Sequence, residues 1–152
     1  MRRVGVEAMT PTQRTLAMLK ADGWTCAVVE RWNPHARIRQ DLFGFADLLA
    51  MKAGSVPLLV QVTSGSNVAA RLAKIIAEPR ALIAIRAGFA IEIHGWRKLK
   101  IARGKAAVKW MPRVENVYEA DFGATNAEPL HGGNDCAHQD GFLGDDPRRR
   151  EG

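Results

Sequence analysis

The sequence predicts an α/β domain in which strands are covered by helices, and three patterns carry that prediction. Residues 45–51 and 56–63 are apolar at nearly every position, as in strands that are covered on two faces. Val68, Leu72, Ile75 and Ile76 fall at i, i+4, i+7 and i+8, the stripe of a helix packed on a sheet. Phe89, Ile91 and Ile93 alternate with Glu92 and His94, the two-residue period of a strand.

The elements follow in order. Thr10-Pro11-Thr12 opens a helix with a hydroxyl cap and a proline in the first turn; Leu16, Met18 and Leu19 form its stripe and Asp22-Gly23 ends it. Residues 24–32 read as one strand through Cys26, Val28 and Val29, stopped by Asn33-Pro34. A polar loop with Arg37, Arg39 and Asp41 then runs to Gly44. The strands at 45–51 and 56–63 are joined by Lys52-Ala-Gly-Ser55, short enough to make them an antiparallel hairpin. Ser64-Gly-Ser-Asn67 supplies the turn and cap of the helix that starts at Val68. Pro79 interrupts the pattern, and residues 80–87, ended by Gly88, read as either a second short helix or a strand, with the helix favoured. After the strand at 89–96, whose Glu92 and His94 read as surface-facing, Arg97 to Lys105 read as a basic turn and residues 106–111 as a last strand. Residues 123–152 have no apolar period, so the expected division is a folded domain over 1–122 and a disordered, Gly-rich acidic tail.

At 152 residues and 47% hydrophobic content, the chain suffices for one domain with its own core. No run approaches the ~20 apolar residues of a membrane span, and the first thirty residues lack a signal core, which points to the cytoplasm. Residues 1–122 carry 19 Lys/Arg against 10 Asp/Glu, whereas the last thirty carry 3 against 6. A basic domain of this kind favours a polyanionic partner, with an ordinary soluble surface as the alternative. Cys26 and Cys136 make neither a zinc spacing nor a disulfide framework, and no phosphate-binding GxxxxGK loop or nucleophile elbow is present.

The chemistry concentrates in the hairpin. A carboxylate within an apolar strand is expensive unless it is paired or binds a cation, so Asp47 needs a partner. Gln61 and Thr63, two residues apart, share one face of the next strand. If the hairpin pairs without slippage, Asp47 faces that polar end, and its carboxylate, the Gln61 amide oxygen and the Val62 carbonyl can hold one hard cation.

These residues resemble the core of the PD-(D/E)XK nuclease superfamily, in which an acid on one strand is followed by an acid-x-lysine motif on the next and a helix packs behind. Asp47 matches the first acid, and Gln61-Val62-Thr63 stands in the place of the second motif; the likeness covers residues 12–76. It is strongest toward archaeal Holliday-junction resolvase-like and VRR-NUC domains, whose first helix also ends in Gly-aromatic, here Gly23-Trp24. Mrr-type restriction endonucleases also place glutamine where Gln61 stands. The segments 42–47 and 61–67 are similar to those of phage and prophage proteins as well. The resemblance implies a restriction-endonuclease-like core with a mixed sheet flanked by helices. It further implies hydrolysis of DNA phosphodiesters with Mg²⁺ (or Mn²⁺), and a homodimer.

The chain departs from the pattern at two places. Thr63 replaces the motif lysine, and the first-helix glutamate of resolvases falls near Thr12 or Gln13, neither of them acidic. Three residues can compensate: Glu30 as a base or further ligand, Asp41 as a donor from the loop, and Lys74 as a lysine supplied by the following helix. The simpler role of Glu30 is an ion pair with Arg31 or Arg39, and that of Lys74 is a solvated helix position. Arg37, Arg39 and Arg71 suit phosphate oxygens. Arg97, Lys98 and Lys100, with Trp96 and Trp110, suit a nucleic-acid backbone and a splayed base, the tryptophans having core packing as their alternative. The expected activity is therefore a nuclease with a degenerate QxT motif. Its rivals are a DNA-binding protein that keeps the nuclease fold without catalysis and, more remotely, a small phage interaction protein.

Overall fold

Helix α1 (Pro11–Ala21) starts where a reciprocal capping box closes it: Thr10 accepts the Gln13 N–H and the Gln13 side chain accepts the Thr10 N–H. The computed structural model describes residues 8–104 and 106–123. Along them follow β1 (Thr25–Val28), β2 (Arg31–Asn33), β3 (Ile38–Gln40), β4 (Leu48–Met51) and β5 (Leu58–Ser64). A 3₁₀ turn (Gly65–Asn67) then leads into α2 (Val68–Ile76), α3 (Pro79–Arg86), β6 (Ala90–Lys100), β7 (Val108–Val117) and a final 3₁₀ turn (Glu119–Phe122).

The expected α/β class with a mixed sheet flanked by helices is what forms. Five strands lie in the order β1-β4-β5-β6-β7; β5 and β6 are parallel, and the other neighbours are antiparallel. A parallel pair requires a crossover, which α2 and α3 provide. Helices cover both faces. Leu48, Ala50, Leu58 and Val60 pack against Leu16 and Leu19 of α1 on one side. Leu59, Ile91 and Ile93 pack against Val68 and Ile75 of α2 and Leu82 of α3 on the other, with Phe89 beside them. Each such fully buried side chain contributes about 1.5–3 kcal/mol.

Several local expectations need correction. The single strand at 24–32 is two strands separated at Val29-Glu30, and the polar loop at 33–44 contains β3, which pairs with β2 as a separate small hairpin. The Ser64–Asn67 segment is a 3₁₀ turn, and neither Ser64 nor Asn67 makes a side-chain cap. The basic stretch from Arg97 to Lys100 is strand rather than turn, held by pairing with residues 108–111, and the last strand runs on to Val117. His94 is buried, because α1 covers the face that the alternation assigns to solvent; its Nε2 lies 2.8 Å from Glu92 Oε2. Trp96, on that same face, is buried and donates from Nε1 to Thr15 Oγ1 at 2.9 Å, a polar tie between β6 and α1. The residues expected to form a disordered tail lie outside the described residues, apart from Gly123. No helix among the described residues is long and apolar enough to cross a membrane.

Gly95 permits the closest approach in the structure's crossover. A Cβ there would overlap Val68 Cγ2 and lie 3.1 Å from Gly65 Cα, so the backbone entering α2 sits directly on β6. Gly95→Ala is expected to lower the unfolding free energy by about 1–3 kcal/mol, measured by urea denaturation; an unchanged midpoint would show that this packing yields without cost.

Candidate metal centre

The β4–β5 ladder places Leu48 opposite Val60 and Leu49 opposite Leu59, which brings Asp47, whose N–H donates to the Val60 carbonyl at 2.9 Å, to the level of Gln61. Beyond this point β4 leaves the ladder. The Asp47 carboxylate replaces the missing strand: Oδ2 accepts the Val62 N–H at 2.7 Å and the Gln61 Nε2–H at 2.6 Å. Both Asp47 and Gln61 are buried. The expected convergence of one acid and one amide from adjacent strands is present.

Two further acids join them. Glu30 sits between β1 and β2 and Asp41 just after β3, and oxygens of Glu30, Asp41 and Asp47 all lie within 4.8 Å of one another. The little β2–β3 hairpin places them: pairing of Arg31 with Gln40 closes the loop so that its two ends, carrying Glu30 and Asp41, stand side by side. Arg39 Nη1 reaches Glu30 Oε2 at 3.2 Å, the ion pair that the sequence offers as Glu30's simpler role, yet Glu30 also stands in the cluster. Lys74 of α2 extends to Asp41 Oδ2 at 3.3 Å, so it belongs to the cluster's rim through Asp41. Asp41 is the centre's least legible member, since its loop shows no periodicity that would aim it.

Thr63 is buried on the same side of β5 as Gln61 and pairs in register with Gly95. The Val62 carbonyl lies 3.5 Å from Gln61 Nε2, close to the amide but not tightly bonded to it. Arg71 is half-buried one turn before Lys74, whereas Arg37 is exposed in the β2–β3 turn at a φ of 52°. Arg97, Lys98 and Lys100 stand apart from the cluster, exposed on β6 beyond its last residue paired to β5. An open cavity of about 280 Å³ lined by Val28, Glu30, Trp32 and Arg39 adjoins the cluster. Trp32, which nothing in the sequence pattern singles out, is 61% exposed at its edge.

Electrostatics and hydrogen bonding define what the cluster could hold. Burial, reinforced by the Asp41 and Glu30 charges and opposed by the Val62 N–H, pushes the Asp47 carboxyl from its ordinary 3.8 up to about 6. Gln61 donates its Nε2–H to Asp47 while its Oε1 is buried with no hydrogen-bond partner. A half-turn of this amide exchanges the two atoms and presents the oxygen beside Asp47, giving three carboxylates and an amide oxygen, the hard donors that Mg²⁺ and Mn²⁺ take. No protein family, curated protein or solved structure matches the chain.

The raised Asp47 value has a consequence for the metal-free fold. A carboxyl whose folded value exceeds its unfolded value contributes instability as it ionises, so stability falls as pH rises from about 4 to about 6. Asn at position 47 accepts the Val62 N–H without charge. In EDTA at pH 8, Asp47→Asn is expected to exceed the wild type in unfolding free energy by on the order of 1–3 kcal/mol, with the gap closing at pH 4. Urea denaturation at the two pH values checks this, and a variant less stable at pH 8 would contradict it.

Proposed function

We propose that the protein is a metal-dependent nuclease that hydrolyses DNA phosphodiesters, of the PD-(D/E)XK kind with Gln61-Val62-Thr63 as its second motif. The observation that supports this reading best is the approach of Glu30, Asp41 and Asp47 oxygens to within 4.8 Å, beside the partnerless Gln61 Oε1. Three carboxylates so close repel one another, and a divalent cation converts that repulsion into binding.

When bound, Mg²⁺ or Mn²⁺ supplies positive charge against the scissile phosphate and acidifies water. Asp47 would be the principal ligand in this reading, with Asp41, Glu30, Gln61 and the Val62 carbonyl completing the protein's donors. Glu30, at the mouth of the open cavity, takes the proton of the attacking water. Lys74, held by Asp41, provides the charge that Thr63 cannot, and the Thr63 hydroxyl keeps a polar atom at the motif position. Arg39 borders the cluster through Glu30, and with Arg37 and Arg71 it would offer planar donors to phosphate oxygens.

The uncharged Thr63 favours one alternative, a DNA-binding protein with a nuclease-like fold and no catalysis. Incubating the full chain with linear, circular and branched DNA in Mg²⁺, Mn²⁺ or EDTA separates the two. The nuclease reading expects cation-dependent cleavage that Asp47→Ala abolishes and that Lys74→Met lowers by roughly 10²–10³-fold, as loss of a fixed charge at a reacting phosphate does. Binding with no cleavage of any substrate would replace it with the alternative. Cleavage that persists in Asp47→Ala would remove the proposed centre.

A further inference from the structure

We propose that the outer half of the β6–β7 hairpin is a ribbon that grips double-helical DNA, which names the substrate class of the proposed centre and rests on the nuclease reading only for what the grip serves. Strand β5 ends at Ser64, opposite Trp96, whereas β6 and β7 continue as a pair from Arg97 with Met111 to Lys100 with Val108. The pairing is prolonged by the Ile101 N–H on the Ala107 carbonyl at 3.1 Å. Beyond Trp96 the sheet therefore narrows to a two-stranded finger.

The finger's chemistry is one-sided in charge. Residues 97–113 hold seven Lys/Arg and no Asp or Glu, although the chain as a whole has 22 against 16. Arg97, Lys98, Lys100, Arg103 and Lys109 are exposed, with Leu99, Ile101 and Val108 exposed between them. Strand alternation divides them. Lys98 and Lys100 share the face of Trp96, while Arg97 and Lys109 continue the face of Ile93, which lies in register with Gln61. Arg97 is four and Lys100 seven residues beyond Ile93, or about 13 and 23 Å at ~3.3 Å per residue. Cations thus extend to about 23 Å along the strand from the level of Gln61, on a two-stranded ribbon of the kind that a major groove about 12 Å across admits.

The finger's own two tryptophans favour a double strand over a single one. Proteins that hold single strands offer free aromatic faces to successive bases. Here Trp96 is buried and bonded to Thr15, and Trp110 is half-buried with the Arg14 and Lys98 cations 4.4 and 5.1 Å from its ring centroid. Both rings brace the finger against α1, leaving cations and aliphatic stems to meet a regular phosphate backbone and groove.

Binding of a short labelled duplex in EDTA, followed by fluorescence anisotropy over a salt series, tests the ribbon independently of cleavage. Wild-type affinity is expected to fall steeply with salt. The triple variant Lys100→Gln, Arg103→Gln, Lys109→Gln should bind at least tenfold more weakly, with a log–log salt slope shallower by roughly 0.9 for each phosphate that is no longer neutralised. The charge-keeping triple Lys100→Arg, Arg103→Lys, Lys109→Arg should bind as the wild type does, and matching thermal melts establish that all three proteins are folded. Unchanged affinity and slope in the neutral triple overturns the proposal, as does tighter binding to the single strand or to phosphatidylserine vesicles than to the duplex. Duplex binding without cleavage of any DNA upholds the ribbon while the nuclease reading fails; wild-type KM for duplex cleavage in the neutral triple upholds the nuclease while the ribbon fails.

Discussion

The bond from the Val62 N–H to the Asp47 carboxylate is the interaction on which the site depends. It exists because the β4–β5 ladder stops at the Leu48–Val60 pair while β5 runs on to Ser64, so that a backbone donor in an apolar interior would otherwise be orphaned. A carboxylate satisfies that donor, and the Gln61 amide occupies the same oxygen. The acid is thereby fixed in place, and its burial raises its affinity for a proton against the opposing pull of the Val62 N–H. Glu30 and Asp41 gain their significance from this fixed point. Each has a basic partner of its own, Arg39 and Lys74, yet both direct oxygens toward Asp47.

The fold serves this arrangement through layers. Helix α1 and its Trp96–Thr15 bond hold one face of the sheet, and α2 and α3 hold the other. The polar end of β5 emerges on the α2 side, where Lys74 can reach the cluster. Gly95 lets α2 begin close against β6, which sets the helix's position relative to the carboxylates.

What was legible in the sequence was whatever burial imprints as a period. The α2 stripe, the parity of Gln61 with Thr63 and the hairpin that levels Asp47 with Gln61 all follow from one-sided or two-sided packing. The β2–β3 hairpin left no such imprint, because Arg31, Trp32, Ile38 and Arg39 are exposed on strands of three residues, so the placement of Glu30 and Asp41 beside each other could not be read. The strand character of Arg97 to Lys100 was hidden for a similar reason: cross-strand pairing holds those residues, not burial of alternate side chains. His94 shows the converse, a polar residue on an alternating strand whose second face is covered by a helix from far earlier in the chain.

Whether Glu30, Asp41 and Asp47 together bind a divalent cation is decided by the anomalous scattering of crystals soaked in MnCl₂. A shared centre gives one strong anomalous peak bounded by those three carboxylates, with the Gln61 amide turned to present Oε1 toward it. A soaked crystal with Mn²⁺ bound elsewhere and no peak among the three acids would contradict it.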